Sequence, residues 1–71
     1  MTDVNLLKSI IKDSGLKLSY LAETVLELTP YGFSKKLNGV NEFKQSEIMK
    51  LCAELKIDNE TRDRIFFTNE R

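Results

Sequence analysis

The stretch from residue 15 to residue 39, GLKLSYLAETVLELTPYGFSKKLNG, decides how this chain folds. Its first half repeats apolar residues with the 3.6-residue rhythm of a helix, at Leu18, Leu21, Ala22 and Val25. This spacing predicts a short helix 2 over about residues 18 to 26.

The second half of the stretch opens with a helix start signal. Thr29 offers a hydroxyl cap, and Pro30 suits the first helical position because no amide donor is missed there. We therefore expect Pro30 to open helix 3, which runs to about Leu37 and ends at Asn38-Gly39. Gly32 is the odd residue, since it weakens the first turn by about 1 kcal/mol relative to alanine.

The flanking segments read as further helices. Val4, Leu7 and Ile11 form an apolar stripe that predicts helix 1 over about residues 3 to 14, with Thr2 or Asp3 as cap and Gly15 at its end. Helix 4 is predicted from the stripe Ile48, Leu51, Cys52 and Leu55, and Phe43 and Cys52 are expected to be buried. A last helix is capped by Asp58 or Asn59 and carries Ile65, Phe66 and Phe67 near its end. No segment alternates like a strand, so the chain is predicted to be all-α, with five helices in a single domain of residues 1–71.

Composition narrows the function classes. The chain has 71 residues with no histidine and one cysteine, which leaves no intramolecular disulfide and no Cys/His cluster for zinc. No apolar run approaches the roughly 20 residues of a membrane span, and the acidic N-terminus lacks the basic start of a signal peptide. We expect a soluble cytoplasmic protein that is not an enzyme, with no cofactor and no metal.

The charge balance is neutral but unevenly distributed. Eleven basic residues match eleven acidic ones, which counts mildly against nucleic-acid binding. Residues 29 to 44 nevertheless hold three lysines against a single acid, Glu42, and form the only basic window.

The stretch from residue 15 to 39 resembles the helix-turn-helix of Cro/CI-type regulators, the lambda-repressor-like family. The resemblance rests chiefly on the Leu21-Ala22 pair, on the apolar positions between the two helices and on the ending Leu37-Asn38-Gly39. The following helix is also similar, so the likeness covers nearly the whole chain. Leu18 and Lys17 replace the family's usual glutamine and cap, the turn glycine is missing, and VLELT is one residue longer than usual.

The resemblance implies a compact five-helix DNA-binding domain whose helix 3 enters the major groove of operator DNA. Gly32 would then let the backbone approach the DNA. Residues carried over as DNA contacts are Tyr31, Ser34, Lys35, Lys36, Asn38, Asn41 and Lys44. Lys36, Lys44 and Asn38 would position the backbone, and the others would read bases.

All of these positions except Asn41 also have a plainer interpretation. Tyr31, Ser34 and Lys35 also suit an ordinary solvated helix face, and Asn38 also suits a helix end. Lys36 and Lys44 are also common surface lysines. The adjacent Ile65, Phe66 and Phe67 cannot all be buried by one helix, so they indicate either an association surface or a packed C-terminal plug.

Two functions remain open. The first is a small phage-type transcriptional regulator that binds operator DNA, acting as a homodimer on a palindrome. The second is a Cro-like modulator or antirepressor that binds a partner phage repressor, because Tyr and Pro at the front of helix 3 also suit a protein interface.

Overall fold

The computed structural model describes residues 2 to 67, and this part of the chain contains five helices and no strand. The helices are α1 (Val4–Ser14), α2 (Leu18–Tyr20, continued by a π-helical turn at Leu21–Val25), α3 (Pro30–Leu37), α4 (Gln45–Leu55) and α5 (Asn59–Phe66). The predicted all-α class and helix count are confirmed. Met1 and residues 68–71, which belong to the predicted domain, lie outside the described residues.

Side-chain caps start three of the helices where the sequence predicts them. An Asp3 carboxylate oxygen accepts from the Leu6 amide at 3.1 Å, and the Thr29 hydroxyl accepts from the Gly32 amide at 3.0 Å. Asp58 does the same for the Thr61 amide at 2.8 Å. Each bond satisfies an amide that the first turn of a helix leaves without an intrahelical partner.

Helix α3 ends in a left-handed turn at Gly39, whose φ is 81°. The Val40 amide donates to the Lys35 carbonyl at 2.9 Å, and the Gly39 amide donates to the Lys36 carbonyl at 3.2 Å. These two bonds make a Schellman ending, which satisfies carbonyls that the last turn leaves free. The predicted end of helix 3 at Asn38-Gly39 is thereby confirmed.

One apolar core lies between the helices. Leu7, Leu21, Leu51 and Ile65 are fully buried in it, and Phe33 is almost so. The Phe43 ring packs edge-to-face between two other rings, with centroids 6.2 Å from Phe33 and 5.6 Å from Phe66. The core therefore joins α3, the loop that follows it and α5.

Helix α2 differs from the sequence prediction in its second turn. The Leu26 amide donates to the Leu21 carbonyl, five residues earlier, at 3.0 Å, so the turn is wider than an α-turn. The wide turn buries Leu26, while Val25 is only half-buried and Leu18 is 52% exposed. The predicted stripe was therefore wrong at Leu18 and missed Leu26.

The turn after α2 lacks glycine but still uses a left-handed residue. Glu27 has a φ of 56°, and the Leu28 amide closes the turn onto the Ala22 carbonyl at 2.7 Å. The π-turn and Glu27 together form the connection between α2 and α3.

The C-terminal apolar cluster is divided between core and surface. Ile65 and Phe66 are buried, whereas Phe67 is 55% exposed, as expected for three neighbours on one helix.

Cys52 is half-buried, and burial raises the pKa of its thiol although the charge of Arg62 opposes the shift. None of the helices in residues 2–67 is both long and apolar enough to cross a membrane.

Candidate functional site

Helix α3 presents a polar stripe on the side opposite its buried residues. Phe33 and Leu37 face the core, and four residues spaced three and four positions from one another lie on the opposite, outward side. The outward stripe, here called the α3 stripe, consists of Tyr31, Ser34, Lys35 and Asn38. Four of the seven residues predicted as DNA contacts are therefore on one surface.

Tyr31 and Lys35 form the first half of the α3 stripe. The Tyr31 side chain is 73% exposed, and the Lys35 ammonium lies over its ring at 5.1 Å from the centroid. A cation over an aromatic face at this distance is weakly attractive at an exposed site. The pair thus presents a positive charge and a broad ring together at the front of α3.

Ser34 and Asn38 form the second half and are connected to α1. Lys8 Nζ donates to Asn38 Oδ1 at 3.0 Å, and Asn38 Nδ2 donates to Ser34 Oγ at 3.4 Å. These contacts place a basic residue of α1 beside α3. Sequence reasoning missed Lys8, because it counted charge along the chain and not between helices.

A groove of about 460 Å³ runs between α1 and α3 and is called here the α1–α3 groove. Its polar rim contains Lys8, Lys12, Ser34 and Asn38, and its apolar lining contains Ile11, Leu16, Leu18 and Leu37. Lys12 is thus a second basic residue of this surface that the sequence did not predict. The only available signal was the i, i+4 spacing of Lys8 and Lys12, which places both on one side of a helix.

Lys36 turns away from the α3 stripe. Its ammonium lies 2.5 Å from Glu47 Oε1, and the two side chains are only 11% and 8% exposed. Glu47 also accepts from the Lys44 amide at 2.8 Å, at the start of α4. Burial alone would raise the pKa of Glu47, but the hydrogen bonds from Lys36 and the Lys44 amide, with both lysine charges, hold that pKa below its ordinary value.

Asn41 and Lys44 lie beyond the end of α3. The Asn41 amide reaches the Lys35 carbonyl at 3.4 Å, and its side chain lines a separate depression with Gly39 and Glu42. Lys44 is exposed at the N-cap of α4, where its charge acts on Glu47. Neither residue belongs to the α3 stripe, so the seven predicted contacts do not form a single continuous surface.

Helix α2 is held against α4 by one polar contact. The Tyr20 hydroxyl donates to Glu54 Oε2 at 2.8 Å, and this hydrogen bond, with the charge of Glu54, raises the pKa of Tyr20. The contact restrains the helix that precedes α3. Within the described residues, no three Cys, Asp or Glu side chains lie together in a way that could hold a metal ion.

Comparisons with known proteins give no relative for this chain. No protein-family model, no curated protein and no solved structure matches it. Its function is therefore inferred from the α3 stripe and the charges beside it.

Proposed function

We propose that this chain is a small transcriptional regulator that binds operator DNA, with α2 and α3 as a lambda-repressor-like helix-turn-helix. The observation that carries the proposal is the α3 stripe, which places Tyr31, Ser34, Lys35 and Asn38 together on the side of the helix away from the buried Phe33 and Leu37. An exposed helix with Ser, Lys and Asn side chains offers the hydrogen-bond donors and acceptors that read base edges in a major groove.

The charges beside α3 support the same function. Lys35 at the front of the stripe and Lys8 behind it form no ion pair within the described residues. Lysines free of carboxylates can neutralise phosphates, and such contacts provide most of the affinity of a protein for DNA. Lys36 contributes less, because its charge is already matched by Glu47.

An electrophoretic shift at low salt, on DNA from the gene's own neighbourhood, tests the proposal. We expect a specific complex whose affinity falls steeply with salt, at a slope of about −0.9 per phosphate neutralised. Lys35→Ala and Lys8→Ala should each flatten that slope by about one. Lys50→Ala is the matched control, since Lys50 is exposed on α4.

Asn41→Ala examines base reading outside the α3 stripe. If Asn41 contacts a base edge, its loss costs about 1 to 3 kcal/mol on the preferred site and little on random DNA. An equal loss on both kinds of DNA would mean that Asn41 contacts the DNA backbone or only stabilises the turn after α3.

A symmetric dimer on a palindrome is part of the proposal, because a single 8.2 kDa domain makes few contacts with DNA.

A second candidate function is binding to a partner repressor protein. It is favoured by Tyr31, which is 73% exposed and stacked by Lys35. Rigid aromatic residues of this kind often carry 2 kcal/mol or more of a protein interface. If the protein forms no specific DNA complex at low salt but co-purifies with a repressor, and Tyr31→Ala abolishes the co-purification, the partner function replaces the DNA function.

A further inference from the structure

The α1–α3 groove has the composition of a site that holds an amphipathic ligand. Ile11 and Leu37 form an apolar floor, each only 5% exposed, and Leu18 is 52% exposed in the same lining. An exposed leucine beside a groove leaves apolar surface in water, and covering it is favourable.

The groove is longer than its main cavity. A second depression of about 130 Å³ shares Leu18, Ser34 and Leu37 with it and continues to Pro30 at the start of α3. A groove with an apolar lining beside two helices is the kind of surface that accepts a third helix, which places residues at i, i+3, i+4 and i+7 into it.

Two lysines give the rim of the groove a positive charge, which favours a negatively charged ligand. Lys8 and Lys12 stand one helical turn apart on the rim, and neither forms an ion pair with a carboxylate in residues 2–67. The hydrogen bond from Lys8 goes to the neutral amide of Asn38, so the positive charge is not compensated there. Carboxylates of a ligand would meet two unpaired ammonium groups across an apolar floor.

We propose that the α1–α3 groove binds an acidic amphipathic helix of a partner protein. The apolar side of that helix covers Leu18 and the floor, and its carboxylates pair with Lys8 and Lys12. Ser34 and Asn38 belong to both the groove rim and the α3 stripe, so an occupied groove blocks part of the stripe. Competition between this helix and DNA is a consequence that rests on the proposed DNA-binding function, whereas binding to the groove does not.

Direct binding is measured without DNA. The probe is a fluorescein-labelled peptide of about four helical turns, built from leucines at i, i+3, i+4 and i+7 with glutamates elsewhere. The matched control peptide has lysine in place of every glutamate. Fluorescence anisotropy with the full chain should show that the glutamate peptide binds at least about tenfold more tightly than the lysine peptide.

Charge reversal in the protein provides the sharpest test. The double variant Lys8→Glu/Lys12→Glu should invert the preference, so that the lysine peptide becomes the tighter ligand. Leu18→Ser should weaken binding of the glutamate peptide about tenfold, because it removes an apolar contact with the peptide at a position that is exposed in the free protein. Lys50→Glu is the control and should leave both affinities unchanged. Circular dichroism melts of every variant verify that it is folded.

The location of binding is checked by amide chemical-shift changes on adding the glutamate peptide. Shifts at Leu16, Leu18 and Ser34 support the proposal, and shifts centred on the exposed Met49 and Phe67 overturn it. It is also overturned if the two peptides bind equally or if charge reversal does not invert the preference. Loss of DNA binding in the shift assay leaves this result unaffected, so the two proposals fail separately.

Discussion

Gly32 is explained at the residue scale by the cap of its own helix. A Cβ atom at this position would lie 3.2 Å from Thr29 Oγ1, the hydroxyl that caps the Gly32 amide. Glycine therefore leaves room for the cap at a crowded first turn. That Gly32 also lets the backbone approach DNA stays a prediction.

This crowding predicts a coupling between the two residues. Thr29→Ala should destabilise the protein by about 1 kcal/mol, because the Gly32 amide loses its partner. Gly32→Ala should leave the stability of the parent nearly unchanged, because the gain in helix propensity offsets the close contact of the new Cβ atom with Thr29 Oγ1. In the Thr29→Ala variant that contact is gone, so Gly32→Ala should stabilise the protein by about 1 kcal/mol. Chemical denaturation of the four proteins measures the coupling, and strictly additive effects would contradict it.

The Lys36–Glu47 pair predicts how stability responds to acid. The pKa of Glu47 is lower in the folded chain than its ordinary value, so its contribution is complete above about pH 4.5 and is lost as the pH falls through the folded pKa. Glu47→Gln should therefore flatten the decline of melting temperature in that acidic range. At neutral pH it should cost about 3 kcal/mol, because the Lys36 charge is left buried without its partner. Exposed Glu60→Gln is the control, and an equal response from it would remove Glu47 from this role.

At the scale of single elements, the turn between α2 and α3 is held in an unfavourable backbone conformation. Glu27 has a φ of 56°, a left-handed region in which side-chain-bearing residues are disfavoured by about 1 to 2 kcal/mol. Glu27→Gly should stabilise the protein by about 0.5 to 1 kcal/mol, since glycine avoids that cost but gives more freedom to the unfolded chain. Glu23→Gly, in the helix just before this turn, should instead lower the free energy of unfolding by about 1 kcal/mol. Thermal melts decide between the two directions, and destabilisation by Glu27→Gly would mean that its side chain stabilises the turn.

The elements differ in how well the sequence predicts them, and the reasons are local. The prediction of helix α3 was correct at both ends, because Thr29-Pro30 and Asn38-Gly39 start and end a helix through local backbone geometry. Helix α2 was correct in position but not in its buried face. A π-turn has no sequence signature of its own, and here it places Leu21 and Leu26, five residues apart, both in the core.

At the scale of the whole molecule, three phenylalanines hold distant parts of the chain together. Phe33, Phe43 and Phe66 come from α3, the following loop and α5, and their rings meet edge-to-face. Aromatic pairs of this kind add to the free energy of burial. The orientation of the α3 stripe therefore depends on contacts made at the other end of the sequence.

Phe33→Ala should accordingly destabilise the protein by about 3 to 5 kcal/mol. A domain of 71 residues has little stability to lose, so we expect this variant to be largely unfolded at body temperature. Tyr31→Ala is the matched control, because it removes an aromatic ring from the same helix at a position that is 73% exposed. Melting temperatures are the measurement, and similar melts for the two variants would contradict the assigned core.

The surface of the whole molecule was harder to predict than its core. The α3 stripe follows from helical spacing within one segment, so sequence reasoning found Tyr31, Ser34, Lys35 and Asn38. The inward turn of Lys36 depends on Glu47, eleven residues later, and the basic rim depends on Lys8, thirty residues before Asn38. Pairings across such separations are products of tertiary packing, and a charge count along the chain does not contain them.

The π-turn of α2 predicts that the chain tolerates the loss of one residue at this place. The turn spans five residues where an α-turn spans four, so deletion of Thr24, which is exposed, brings Leu26 to the i+4 position from Leu21. We expect the shortened chain to melt close to the parent, whereas deletion of Lys50 from the regular helix α4 rotates every later side chain and unfolds the protein. A collapse of both variants in the melt would show that the spare residue is structurally required. If only the Thr24 deletion survives, length variation among descendants of this gene should concentrate at this single turn.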